Sequence, residues 1–181
     1  NSTITALSVG HITPVSIASG KSLSGAVTVT AGSVKLDEPG TLVSTIAMSG
    51  GTLDSDESST VSGALSHTAD ITIDVTTGKT LTYSGAAISL GANTITLSGG
   101  GSLVSGGLTL SDADSKLLLN SITLDSASTS ANSLGLDVNA DSTVTSLSVG
   151  HITPVSIASG KSLSGAIGVT AGSLNLNEPG T

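Results

Sequence analysis

Twenty consecutive residues, LSVGHITPVSIASGKSLSGA at 7–26, return unchanged at 147–166. Laying residue 1 on residue 141 keeps an offset of 140 to the end of the chain, and 33 of the 41 overlapping positions are identical. No other feature constrains the fold as much, because every period must build the same structure and join its neighbour without disturbing it. Copies this similar point to a long array of near-identical 140-residue units. Residues 1–140 read as one complete unit and residues 141–181 as the start of the next. Asn1 begins in mid-pattern, so the expectation is that neither end is a natural terminus and that the chain is a window on a longer polymer.

The eight differences between the copies show which positions face inward. Ile4 becomes Val144, Val27 becomes Ile167 and Val34 becomes Leu174, so apolar stays apolar. Thr28 becomes Gly168, Lys35 becomes Asn175 and Asp37 becomes Asn177, so the polar positions vary more freely. The two kinds alternate residue by residue, the period of a half-buried β-strand with Val27, Val29, Val34 and Leu36 inward. The same alternation runs through ITIDVTTGKTLTYSG, NTITLSGGGSLVSGGLTLS and LGLDVNADSTVTSLSVG. These segments predict strands of four to seven residues closed by Gly, Ser, Asp or Asn. Pro14, Pro39 and Pro179 are expected where strands break or turn. SDADSKLLLN is the only helix-like start, and its apolar run, Leu117 to Leu119, is too short to sustain a helix.

Core volume decides between two all-β architectures. The 181 residues include no Cys, Trp or Phe, one tyrosine (Tyr83), and 59 Ser or Thr. A sandwich domain leans on large rings to fill the space between its sheets, and this chain has almost none. Disorder is disfavoured by a mean hydropathy of +0.38 with the apolar residues evenly spread. A single-stranded β-solenoid, a parallel β-helix for which the right-handed form is preferred, needs only a narrow tube of Val, Ile, Leu, Ala and Thr. Coils of roughly 20–25 residues would give six or seven per unit and an advance of about 30 Å along the axis. The start of the second unit would continue the same solenoid.

Charge removes several function classes. The formal charge is −8, from 13 carboxylates against Lys21, Lys35, Lys79, Lys116 and Lys161, with no arginine. Nucleic-acid binding needs clustered cations and is not expected. No apolar run reaches the length of a membrane span, and without cysteine there is no disulfide or thiolate metal site. Segments such as GKSLSGAVTVTAGSVKL, GKTLTYSGAAISLGANTITLSGG and GSLVSGGLTLSDADSKLLL resemble the repeated strand segments of bacterial autotransporters and large filamentous surface adhesins. That resemblance is one of rhythm and composition over most of the chain. It implies a secreted protein of the bacterial cell surface or matrix, and it carries no active site across.

Candidate chemistry is sparse. The densest acidic cluster, Asp54, Asp56 and Glu57 in LDSDESS, has oxygens for a calcium ion but lacks the glycine and distal glutamate of an EF-hand loop. It reads as a solvated turn, as do Asp112 and Asp114 in SDADSK. Asp74, Asp125 and Asp137 lie singly in or beside strands and read as outward and solvated. His11 and His151 occupy one position in successive copies, too far apart to share a metal, and His67 has no partner at ligand spacing. Gly99 to Gly101 precede a strand rather than a helix and cradle no phosphate. Thr-x-Thr in TVTAG, TITLS and TLTYS would form threonine ladders, as ice-binding solenoids require, but Ser, Asp and Lys interrupt them, and strand propensity explains the threonines. Asn1-Ser2-Thr3 is a weak glycosylation sequon. The expectation is therefore a structural or adhesive extracellular fibre or stalk with no catalytic, cofactor-binding or metal-binding residues. Its partners would be neighbouring repeats stacked end to end, with lateral self-association or surface glycans also open. The alternative is a carbohydrate-binding or carbohydrate-active β-helix, favoured if Asp54, Asp56 or Asp74 shares a groove with a lysine.

Overall fold

The computed structural model describes residues 1–11, 13–171 and 174–176; Pro179 and Asn177 lie outside the described residues. The described residues form strands, turns and bends, with no helix. The chain winds through nine successive rungs. The first three are β1 (Ser2–Val9) with β2 (Thr13–Val15), β3 (Ser22–Val29) with β4 (Ser33–Leu36), and β5 (Thr41–Met48) with β6 (Thr52–Ser55). The fourth holds β7 (Ser59–Val61), β8 (Leu65–His67) and β9 (Ile71–Val75). The fifth holds β10 (Thr80–Tyr83), β11 (Ile88–Ser89) and β12 (Thr94–Ser98). The sixth holds β13 (Ser102–Val104), β14 (Leu108–Leu110) and β15 (Lys116–Asn120). The last three are β16 (Thr123–Thr129) with β17 (Gly135–Ala140), β18 (Ser142–Val149) with β19 (Thr153–Ile157), and β20 (Leu163–Val169) with β21 (Leu174–Leu176).

Each strand pairs in parallel with its counterpart one rung away, giving a β-solenoid of about eight turns with two sheets. Sheet A has twelve strands and contains β1, β3, β5, β16, β18 and β20. Sheet B has nine and runs β2-β4-β6-β9-β12-β15-β17-β19-β21. Residues lying over one another are 19 to 24 apart, from Val27–Ile46 to Ile71–Ile95. β1 and β18 are the same sequence position in successive copies and lie seven rungs apart, so one period is seven turns averaging 20 residues, an advance of about 34 Å.

The core is a seam of aliphatic columns. Val34, Leu53, Ile73, Leu97, Leu119, Val138 and Ile157 stack in register over seven successive rungs of sheet B. All seven are buried, as are the expected inward residues Val27, Val29, Val34 and Leu36. A single rung cannot bury such a side chain by itself; the rungs above and below complete the apolar surroundings.

Sheet A has two arms, and the sequence accounts for the junction between them. In β3 and β20 the junction residue is glycine: Gly25 has φ 145° and Gly165 φ 130°. A Cβ would lie 2.3 Å from the Ile4 carbonyl oxygen in the first case and 1.7 Å from that of Val144 in the second. The register shifts there in both copies, between Thr3 and Ala6 and between Thr143 and Ser146, a bulge that re-aims the strand. In rungs four to six the junction breaks the strand outright, giving β7/β8, β10/β11 and β13/β14.

Two expectations are corrected. Strand lengths run from two to eight residues rather than four to seven, because the arms are continuous in some rungs and split in others. Pro14 lies inside β2 rather than at a break, and its equivalent Pro154 lies inside β19. The residue of β17 next to Pro154 is Gly135, at φ 111°, where a Cβ would stand 2.1 Å from the Pro154 carbonyl oxygen and 3.2 Å from its ring. A missing side chain on one rung thus accommodates the proline of the next. Pro39 lies in a bend, as expected.

Candidate functional site

Ionisable side chains converge on the outer face of sheet B and the turn that follows it. Alternation along β4 and β6 points Lys35 and Asp54 outward, and the register places Asp54 over Lys35 and Asp74 over Asp54. Lys35 Nζ lies 3.6 Å from Asp54 Oδ2 and forms a closer ion pair with Asp56. From the rung above, Lys79 Nζ donates to Glu57 Oε2 at 2.5 Å, and Thr76 Oγ1 donates to Asp56 Oδ1 at 3.1 Å. Asp74 accepts from the Ser98 hydroxyl of the following rung. LDSDESS is therefore bracketed by two lysines one rung away on either side, and the solvated turn expected there is an inter-rung ion-pair cluster. Three rungs on, Lys116 and Asp137 form a similar pair at 2.6 Å.

The electrostatics of the cluster are mixed. Burial pushes the Asp54 carboxyl above the usual aspartate value, aided by the nearby Asp56 and Asp74 charges and opposed by Lys35. Asp56 is held below its usual value, chiefly by the Lys35 hydrogen bond. Lys35 is raised, chiefly by its hydrogen bond to Asp56 and against the desolvation that opposes it. A carboxyl raised by burial beside one lowered by a cation is an arrangement that acid–base chemistry uses, but the lysines already occupy these carboxylates. Three depressions in the surface lie elsewhere. One is lined in part by Asp70, Thr72, Thr94, Thr96 and Lys116, another by Ser121, Asp141, Thr143 and Ser162, and the third by Met48, Ser66 and His67. None of them includes Asp54, Asp56 or Asp74.

The other expected residues serve the backbone. Asp125, read from sequence as outward and solvated, is half-buried at the junction of the arms. It accepts from the Ser105 and Gly106 amides, at 3.0 and 2.9 Å, and from the Ser105 hydroxyl. Those amides belong to the break between β13 and β14, so Asp125 caps what the ladder leaves open. Asp112 accepts from the Asp114 amide at 3.0 Å, an ordinary Asx turn. His67 places Nε2 3.0 Å from the Ser89 carbonyl oxygen and Nδ1 3.3 Å from that of Ala69, which ties β8 to β11 where no ladder joins them. The His151 amide donates to Thr129 Oγ1 at 3.2 Å. His11 and His151 lie seven rungs, about 34 Å, apart. Among the described residues, no three His, Asp or Glu side chains are grouped to hold a metal ion. Thr52, Thr72 and Thr96 do stack outward on sheet B, but Ser33 precedes them and Leu118 follows.

Sequence reasoning missed the lysine brackets, although a signal existed. Lys35–Asp54, Glu57–Lys79 and Lys116–Asp137 are separated by 19, 22 and 21 residues, the length of one turn. Compared with protein-family models, with curated proteins and with solved structures, the chain matches none.

Proposed function

We propose that this chain is part of a structural or adhesive fibre, an extracellular stalk of a bacterial surface protein built from tandem 140-residue periods. The observation that supports this reading is the joint between periods. β17 ends at Ala140, β18 begins at Ser142, and the column Leu119–Val138–Ile157 crosses the joint without a gap. On the far side Ser142 and Thr143 pair with Leu163 and Ser164, as Ser2 and Thr3 pair with Leu23 and Ser24. Units joined this way extend one rod rather than string separate globules together, so length grows with the number of periods. An antiserum against this chain, applied to intact producing cells, should decorate filaments in immunogold electron microscopy. Labelling seen only after the cells are opened would overturn the reading.

The second reading, a carbohydrate-binding solenoid, would act through Lys35, Asp54, Asp56 and Asp74, which meet through ion pairs and register rather than in a groove. A glycan array probed with the native chain and with Asp54→Asn tests it. Specific binding lost in the variant would support it, and no binding by either would remove it.

A further inference from the structure

Sheet A is interrupted along its second arm. β8 pairs with β5 on one side and β11 with β14 on the other, and among the described residues no backbone ladder joins β8 to β11. Elsewhere the same two rungs hold together: β7 pairs with β10 from Ser59–Leu81 to Val61–Tyr83, and β9 pairs with β12 from Ile71–Ile95 to Asp74–Ser98. The fourth and fifth rungs therefore part along one arm only, which leaves a seam in the rod. Two side chains cross it. The Tyr83 hydroxyl accepts from the Leu65 amide at 2.9 Å. His67, half-buried at the end of β8, places Nε2 3.0 Å from the Ser89 carbonyl oxygen of β11. Its Nδ1 lies 3.3 Å from the Ala69 carbonyl oxygen, in the turn after β8.

Both nitrogens of the His67 ring thus face carbonyl oxygens, which can only accept. A neutral imidazole carries one N–H, so whichever tautomer forms sets a lone pair against one of the two oxygens; an imidazolium donates to both. We infer that His67 is a proton-operated clasp, which closes the seam between β8 and β11 when protonated and loosens it when neutral. The strands around the ring bring no competing titration, because β3, β5, β11 and β14 carry no ionisable side chain. In the adjoining segments stand Asp70, whose Oδ1 accepts from the Thr94 amide at 2.7 Å, and Tyr83, held by Leu65. Aspartate and tyrosine titrate outside the window of roughly pH 5–8 in which histidine does. The folded chain offers the ring proton a fixed pair of acceptors. The clasp therefore stabilises the fold on the acid side of that window, and its contribution fades as pH rises through it. Because β7 stays paired with β10 and β9 with β12, release opens a notch on one face and leaves the rod in one piece. The clasp belongs to this chain alone and stands whether or not the chain is part of a fibre.

Amide hydrogen exchange of dilute native chains at about pH 5 and about pH 8, corrected for the intrinsic rate at each pH, tests this. Protection of β8 and β11 should fall about fivefold at the higher pH, while that of β12 stays unchanged. His67→Gln cannot change its protonation across this range, so its seam should show no such fall. Equal protection of the native seam at both pH values overturns the inference, and so does a fall that β12 shares or that His67→Gln repeats. Should the variant lose its strand signal in circular dichroism, nitrogen-15 NMR of the native chain decides. His67 should show two slowly exchanging ring N–H protons at the lower pH and one at the higher. Ring protons that exchange as fast as those of free histidine at the lower pH would refute the clasp.

Discussion

Tyr83 is the only aromatic side chain of the sequence, and it lies in the core at 4% exposure. Its hydroxyl accepts from the Leu65 amide at 2.9 Å, at the point where sheet A is split between β7 and β8. A ring that fills space and also satisfies a backbone donor explains one tyrosine among so many aliphatics. Tyr83→Phe keeps the volume and strands that donor; a loss of about 1–3 kcal/mol is expected in chemical denaturation. The two copies make a similar point with Asn1 and Asp141, which differ in charge yet both use Oδ1 to accept from the amide of Ser22 or Ser162, at 3.0 and 2.9 Å. The acceptor persists while the charge does not. Lys35 gives a prediction with a defined sign. The lowered Asp56 value stabilises the fold above the ordinary aspartate range and is lost as pH falls through it. The raised Asp54 value acts oppositely, destabilising the charged form and relieved by acid. In Lys35→Met, Asp56 loses its main support and Asp54 rises further. The deficit in melting temperature against the native chain should be largest near neutral pH and shrink as pH falls through and below the ordinary aspartate range, as the two carboxyls take up protons. A deficit that grew on acidification would contradict this account.

At the scale of the strand, a parallel ladder depends on neighbours on both sides. β12 and β15 have them; β1 and β20 are paired on one side only. In chains kept single by dilution, amide hydrogen exchange should be slowest in the central rungs and fastest in the first and last; uniform protection in such single chains would contradict this. The bulge at Gly165 is a second element-scale test. Gly165→Ala sets a Cβ against the Val144 carbonyl at a φ that other residues rarely adopt, so it should destabilise far more than Ser148→Ala on the same sheet, as thermal melts would show. How much of this was legible follows from what each feature depends on. The inward set Val27, Val29, Val34 and Leu36 was readable because a two-residue period needs no knowledge of the partner strand. Pro154 was not, since its accommodation depends on Gly135 one rung away. The lysine brackets and the Asp125 cap were hidden for the same reason. Turn lengths vary between 19 and 24 residues, so which side chain overlies which depends on the circumference of each rung. Residues that act along the strand were visible, and residues that act along the axis were not.

Over the described residues the chain is a rod whose ninth rung is chemically like its second, because β20 repeats the sequence position of β3. Ile167 and Val169 of β20 are 41% and 48% exposed, whereas their equivalents Val27 and Val29 are buried beneath a third rung. The difference lies in the missing neighbour, not in the residues. Such an edge recruits a further strand, so the isolated chain is expected to polymerise end to end; a stable monomer in light scattering would count against this. The rod's growth in fixed steps follows from its stacked aliphatic columns. Its most direct test is to append residues 42–181 again after Thr181 and compare the two proteins by small-angle scattering. The rod should lengthen by about 34 Å, seven rungs at the strand spacing, with an unchanged cross-sectional radius for single rods. A longer chain that instead thickens within one molecule, or scatters as two beads on a tether, would contradict it.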